Sequence, residues 1–146
     1  MIKFKPGLRV SINNKMNEIK EIFLVFDDPM DKYTQIIEFG KKNVGLDDSY
    51  KNEENRIYGC ASLAWVHTTK IGEKYSVKTD SDTFIVRGLL NILEYVINDS
   101  TKDEIFSITI EDVLLNIGLG QSITSQRTNG FLSAIEKIKK QIINCE

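Results

Sequence analysis

Residues 63–96 read LAWVHTTKIGEKYSVKTDSDTFIVRGLLNILEYV, and the spacing of their apolar residues changes once along the way. Leu63-Ala64-Trp65-Val66-His67-Thr68-Thr69 has the composition of a strand. Ile71-Gly72-Glu73 supplies a short turn, and Lys74-Tyr75-Ser76-Val77-Lys78-Thr79 alternates as its partner strand. After Asp80-Ser81-Asp82 the period lengthens. Ile85, Leu89, Ile92, Leu93 and Val96 recur at helical spacing and make a wide core-facing stripe, with Asp82 or Ser81 as the N-cap.

Upstream, Arg56-Ile57-Tyr58 is short and extended enough to complete a small antiparallel sheet. Residues 43–54 are polar and predict a loop. Before it, Asp28 is an N-cap signal, Pro29 suits the first helical position, and Gly40 is a stop signal. In that helix Met30, Tyr33 and Ile37 share a stripe. An earlier helix begins near Asn14 and carries Ile19, Phe23 and Phe26 on one face. Downstream, Thr101-Lys102-Asp103-Glu104 is a capping box, Thr109-Ile110-Glu111-Asp112 resembles another start, and Gly118 suits a helix C-terminus. A last helix starts near Thr124 and buries Phe131, Ile135, Ile138 and Ile142. The order predicts an α+β fold, about three antiparallel strands packed with several helices. Residues 1–13, with a turn at Pro6-Gly7, read as an arm, and 14–146 as a single domain.

The composition narrows the function classes. A net charge of −2 over 146 residues argues against a nucleic-acid binder. The Lys41-Lys42 and Lys139-Lys140 pairs suit solvated helix ends. No run approaches the roughly 20 apolar residues that span a bilayer, so no membrane role is expected. Lys3, Lys5 and Arg9 precede no long apolar core, so no signal peptide is read and a cytoplasmic location is expected. The lack of acidic residues before Glu18 leaves an organelle-targeting arm open. Neither a Gly-rich phosphate loop nor a cofactor-lysine context is visible, so no organic cofactor is expected.

Cys60 is the residue with the plainest covalent chemistry. It follows Gly59, which can turn the backbone tightly, and precedes an apolar stretch ending at Trp65. It reads either as a small buried thiol or as a nucleophile presented at a loop-to-strand junction. The second cysteine, Cys145, is penultimate, and the two form neither a CxxC pair nor a disulfide framework. His67, the single histidine, reads as an edge-strand residue rather than a base for Cys60. One His and two Cys cannot fill a four-ligand zinc site, so no metal is expected. Asp80 and Asp82 are too few for a calcium loop, and capping explains at least one of them. Arg87 and Arg127 read as solvated or ion-paired, although a cation near the start of the last helix opposes its dipole, which favours an anchoring role for Arg127. Trp65 reads as core.

Four segments, in order, resemble the SufE/CsdE family of sulfur-acceptor proteins. Asn55-Arg56-Ile57-Tyr58-Gly59-Cys60 with Ser62 and Trp65 resembles the family's active-cysteine segment. Asp31-Lys32-Tyr33 with Ile37 and Gly40-Lys41-Lys42 resembles its first helix. Asp80-Ser81-Asp82 with Ile85-Val86-Arg87-Gly88-Leu89 resembles its Asp-Ser-Asp turn and central helix. Leu119, Thr124, Arg127 and Asn129-Gly130 resemble the start of its C-terminal helix. Departures are Ala61 and Leu63, where the family often has Gln, Ser122 in place of a histidine, and Ser125-Gln126 in place of Pro-Ser.

The resemblance implies that Cys60 accepts sulfur as a persulfide from a pyridoxal-phosphate-dependent cysteine desulfurase of the SufS type. Sulfur then passes to a SufB-like iron–sulfur scaffold. The organic cofactor belongs to the partner. Gly59, Ser62 and Arg56 would hinge and support the cysteine loop, and Asp80, Asp82 and Arg127 would help form the partner surface. A homodimer stays open. The rival readings are an adaptor that regulates a desulfurase without carrying sulfur, and a scaffold assembling a cluster across a homodimer.

Overall fold

The computed structural model describes residues 12–59, 62–109, 113–114 and 125–145, with backbone alone for 125–128. Its elements are α1 (Ile12–Leu24), α2 (Pro29–Lys42), a 3₁₀ turn at Asp48–Tyr50, β1 (Ala64–Ile71), β2 (Lys74–Ser81), α3 (Phe84–Ile97), β3 (Ser100–Thr101), α4 (Lys102–Phe106) and α5 (Ser125–Asn144). The α+β architecture is as expected. The start signal at Thr109–Asp112, the helix end at Gly118, the arm's turn at Pro6-Gly7 and the residue Ser122 lie wholly or largely outside the described residues.

The hairpin β1–β2 is in full antiparallel register from Ala64↔Ser81 to Ile71↔Lys74. Its turn is two residues long, and Gly72 takes φ +65° at the first of them, the glycine requirement of a type II′ hairpin. The sheet has three strands in the order β1-β2-β3. The third is not Arg56–Tyr58. It is Ser100–Thr101, which pairs with β2 opposite Tyr75 and Lys74. Arg56 makes only a single bridge to Trp65, because the chain turns away at Gly59 before a ladder can lengthen.

Inside the sheet the alternation selects Ala64, Val66, Tyr75 and Val77, all buried. That parity places Trp65 on the outer face, half-buried rather than in the core, with the Lys51 ammonium 5.7 Å from its ring centre. Helix α3 covers β2, and α2 crosses α3 on its far side. The crossing explains Gly40. The glycine does not close α2, which continues to Lys42. A Cβ there would lie 2.0 Å from the Phe84 carbonyl oxygen, and one at Gly88 would lie 1.8 Å from that of Ile36. The buried face of α2 is accordingly Ile36, Phe39 and Gly40, not Met30, Tyr33 and Ile37; Met30 is 70% exposed.

The Asp28 cap and Pro29 start are as read, with the carboxylate accepting from Met30 N–H at 2.9 Å. The Thr101–Glu104 capping box is complete in both directions. The α3 cap differs. Thr83 holds that position without a side-chain cap bond, because Ser81 belongs to β2 and the Asp82 carboxylate is engaged elsewhere. α1 begins at Ile12, two residues before Asn14, since Ile12 and Met16 join Ile19 and Phe23 in the core. Lys15 is buried on the same helix and donates to the Asn98 carbonyl at the end of α3, where a cation meets the negative helix terminus. Burial lowers its pKa. α5 buries Phe131, Ala134, Ile135, Ile138 and Ile142. Its Gln141 Nε2 donates to Val66 O at 2.8 Å and so helps blunt the free edge of β1.

Candidate functional site

The segment preceding Cys60 is tied to the edge of β1. Val66 N–H donates to Asn55 O and Ile57 N–H to Ala64 O, both at 2.8 Å. These bonds hold the two stems of the cysteine segment, residues 57–59 and 62–64, side by side. Cys60 and Ala61 themselves lie outside the described residues. Both stems beside them are held by named contacts.

On the N-terminal stem, Gly59 has φ +87°, and a Cβ on it would lie 2.8 Å from Ser133 Oγ of α5. An L side chain is therefore doubly disfavoured, by the torsion and by the neighbouring helix. The Arg56 guanidinium stands 5.0 Å over the Tyr58 ring and 3.8 Å from Glu53, while the Tyr58 hydroxyl donates to Glu53. On the C-terminal stem the Asp-Ser-Asp turn acts as a clamp. Asp82 Oδ1 accepts from Leu63 N–H at 3.1 Å, Asp82 N–H donates to Leu63 O at 3.1 Å, and Ser81 Oγ donates to the same oxygen at 2.7 Å. The hydroxyls of Ser62 and Thr83 lie 3.1 Å apart. Four contacts thus fix the residues just after the cysteine to the start of α3.

Asp80 does a different job from Asp82. It is buried, and it accepts from Leu46 N–H at 3.0 Å and its neighbour Ser81 N–H at 2.8 Å. It pairs with Lys51 at 3.2 Å and Arg87 at 3.3 Å. Burial pushes its pKa up, but the Leu46 N–H and Lys51 outweigh that and hold the carboxyl below its usual range. The same contact raises Lys51. Arg87 Nη2 also donates to Asn43 O at 2.6 Å. Asp80 therefore pins the 43–54 loop across the sheet, beneath the segment that leads to the cysteine. Arg127 lies in α5 with its side chain outside the description.

His67 does not stand free as a base. Its ring packs on Tyr50 with centres 4.4 Å apart, its Nδ1 is 3.4 Å from Asn55 Oδ1, and burial lowers its pKa. Among the described residues no group of three His, Cys, Asp or Glu side chains is placed to hold a metal ion. Near the loop the exposed apolar side chains are Tyr58 and Leu63 on its stems, Phe84 beside Thr83, and Leu132 beside Ser133, with the exposed carboxylates of Glu53 and Asp82 among them. Together they form a rim of the kind that marks an interaction surface.

Residues 17–142 match the sequence profile of SufE, described as an Fe-S metabolism associated domain. The chain belongs to the SufE family. A SufE-like protein of Rhizobium etli is 32% identical over 130 residues, covering 86% of this chain and 88% of that protein. A second, from Rhizobium meliloti, is 32% identical over 130 residues and is covered to 93%. The SufE-like protein 1, chloroplastic/mitochondrial, of Arabidopsis thaliana is 32% identical over 133 residues, but the match covers only 36% of that longer protein. A solution structure of a Thermus thermophilus protein shares the fold, with a TM-score of 0.72, 16% identity, and coverage of 90% of this chain and 95% of that one. No helix among the described residues is long and apolar enough to cross a membrane.

Two parts of the SufE architecture escape the sequence reading. Lys51 and Asn43 sit in a polar loop and give no sign that they meet Asp80 and Arg87. Glu94 interrupts the apolar face of α3, and that misfit is the available signal. It accepts from Thr79 N–H at 3.1 Å and Thr79 Oγ at 2.8 Å, and burial raises its pKa to about 7.

Proposed function

We propose that this SufE-family chain accepts sulfur on Cys60 from a cysteine desulfurase, stimulates that enzyme, and passes the sulfur on for iron–sulfur cluster assembly. The observation that carries the proposal is the family match over residues 17–142, which includes Cys60 in its segment. The two braced stems and the largely apolar rim around the loop support it. A fixed frame with an exposed, largely apolar border suits a thiol that must enter another protein's site.

The step is a thiol–disulfide-type exchange. The Cys60 thiolate attacks the outer sulfur of the desulfurase persulfide. The partner's S–S bond breaks, its cysteine leaves as a thiolate, and a new S–S bond forms on Cys60, with no net oxidation or reduction. An ordinary thiol has a pKa of about 8.5 and is mostly protonated at neutral pH. With His67 committed to Tyr50 and Asn55, deprotonation is assigned to the partner's site. The clamp by Asp82 and Ser81 keeps the returning strand in place while the cysteine is delivered. In this reading Asp82 acts on loop position, and Asp80 on the loop beneath it. The receiving partners are a SufS-like desulfurase and a SufB-like scaffold, and the cytoplasm is the expected compartment.

The test mixes the protein with a cysteine desulfurase, L-cysteine and reductant, and follows sulfide release. Cys60→Ser is expected to lose the stimulation, and the parent to gain about 32 Da, one sulfur atom, by intact mass. Full stimulation by Cys60→Ser would replace the carrier with the adaptor reading.

A further inference from the structure

The loop of residues 43–54 carries a single cation, Lys51. Its ammonium joins three groups. It pairs with Asp80 on β2 and with Asp48 in its own loop, both at 3.2 Å. It also stands 5.7 Å from the Trp65 ring centre on β1. Asp48 is exposed and Asp80 is buried, so the Asp80 pair is the one shielded from water and salt.

The chain around Lys51 is bonded mostly to itself. Ser49 N–H donates to Asp47 Oδ1 and Asn55 N–H to Asn52 Oδ1, both at 3.0 Å. Asn55 Nδ2 donates to Tyr50 O at 2.8 Å. These bonds make residues 47–55 one knit piece. At its near end Leu46 N–H bonds Asp80, and in its middle Tyr50 packs on His67 beside Lys51. At its far end Asn55 O accepts from Val66 N–H of β1. Asn55 therefore belongs both to the piece that Lys51 fastens and to the stem that runs on through Ile57 to Gly59. A shift at Tyr50 and Lys51 is passed to that stem through the Asn55 side chain.

We infer that Lys51 is a positioning residue for sulfur capture: its pair with Asp80 latches residues 46–55 onto the hairpin, and Asn55 passes their position to the stem that precedes Cys60. The inference rests on the sulfur-acceptor reading and adds to it a control over the stem, exerted away from the reacting sulfur. Losing one shielded, charge-assisted bond moves a latch about tenfold toward open. An exposed loop lies close to balance, so the latch passes from mostly closed to mostly open. The capture-competent fraction then drops about threefold, and apparent affinity drops with it.

The test uses the full chain. Amide hydrogen exchange is followed in the free protein at Leu46 and Val66, whose N–H groups bond across the latch. Stimulation of a cysteine desulfurase is titrated in parallel. Lys51→Met keeps the stem over Trp65 and removes the charge. It is expected to speed exchange at both amides about threefold, and to raise the half-saturating concentration about threefold with maximal stimulation unchanged. Lys51→Arg should keep the parent values. Ile138→Val, a core change in α5, lowers global stability and should leave both readings unchanged. Unchanged exchange in Lys51→Met would overturn the latch, even with a raised half-saturating concentration, because the ammonium would then touch the desulfurase directly. Faster exchange with unchanged half-saturation would overturn the positioning role. Failure of the sulfur-acceptor reading shows separately, as full stimulation by Cys60→Ser, and the exchange rates still decide the latch.

Discussion

Replacing Gly59 by alanine tests the geometry that holds the cysteine loop. At φ +87° an L residue pays about 1–2 kcal/mol for the left-handed backbone, partly offset by the stiffer unfolded chain. A Cβ there also meets Ser133 Oγ at 2.8 Å. Gly72 isolates the first of these costs, because it has φ +65° and nothing within 4 Å of an added Cβ. Gly72→Ala is therefore expected to cost about 1 kcal/mol, and Gly59→Ala about 2 kcal/mol. Ser133→Ala removes the close oxygen and leaves a Cβ at 3.8 Å, an ordinary contact. In that background Gly59→Ala should fall to the Gly72→Ala value, a coupling of about 1 kcal/mol. Urea denaturation of the four proteins measures the cycle, and desulfurase stimulation reads the consequence at the loop. A Gly59→Ala variant as stable as the parent would refute the left-handed conformation. Zero coupling to Ser133 would refute the packing of this stem on α5.

Two further substitutions probe the frame behind the loop. Glu94 has a folded pKa of about 7 against an ordinary 4.5. The folded chain holds that proton longer than the unfolded one, so stability should fall as pH rises from about 4.5 through 7, by up to about 3 kcal/mol, and then level off. Glu94→Gln should remove this slope and stabilise the protein at pH 8 but not at pH 4, which denaturation at the two pH values checks; parallel profiles for parent and variant would contradict the burial argument. Gly88→Ala places a Cβ 1.8 Å from the Ile36 carbonyl oxygen and should cost about 3 kcal/mol by parting α2 from α3. A melting curve unchanged by Gly88→Ala would mean that the two helices do not cross at these glycines.

Much of this protein is decided by local chemistry and so can be read from the chain alone. The hairpin follows from alternation around Gly72, the α3 stripe from helical spacing, and the Asp28 and Thr101–Glu104 caps from side chains that bond backbone within three residues. The apolar face of α5 is equally local. The four motifs that point to the SufE family are linear segments, and Cys60 is identified within one of them without any coordinates. What the sequence left undetermined depends on which segments meet. Gly40 carries a stop signal, yet it lies inside α2 because α3 approaches too closely for a side chain. Trp65 is apolar enough for the core, but strand parity turns it outward to Lys51. Arg56–Tyr58 has strand composition, but the ladder goes instead to Ser100–Thr101, delivered beside β2 by the end of α3. The roles of the two aspartates separate for the same reason. Asp82 meets Leu63 across 19 positions of sequence, and Asp80 meets Leu46 across 34. Hydrogen bonds and ion pairs between distant segments leave no periodic trace in the chain, so only the tertiary structure could assign them.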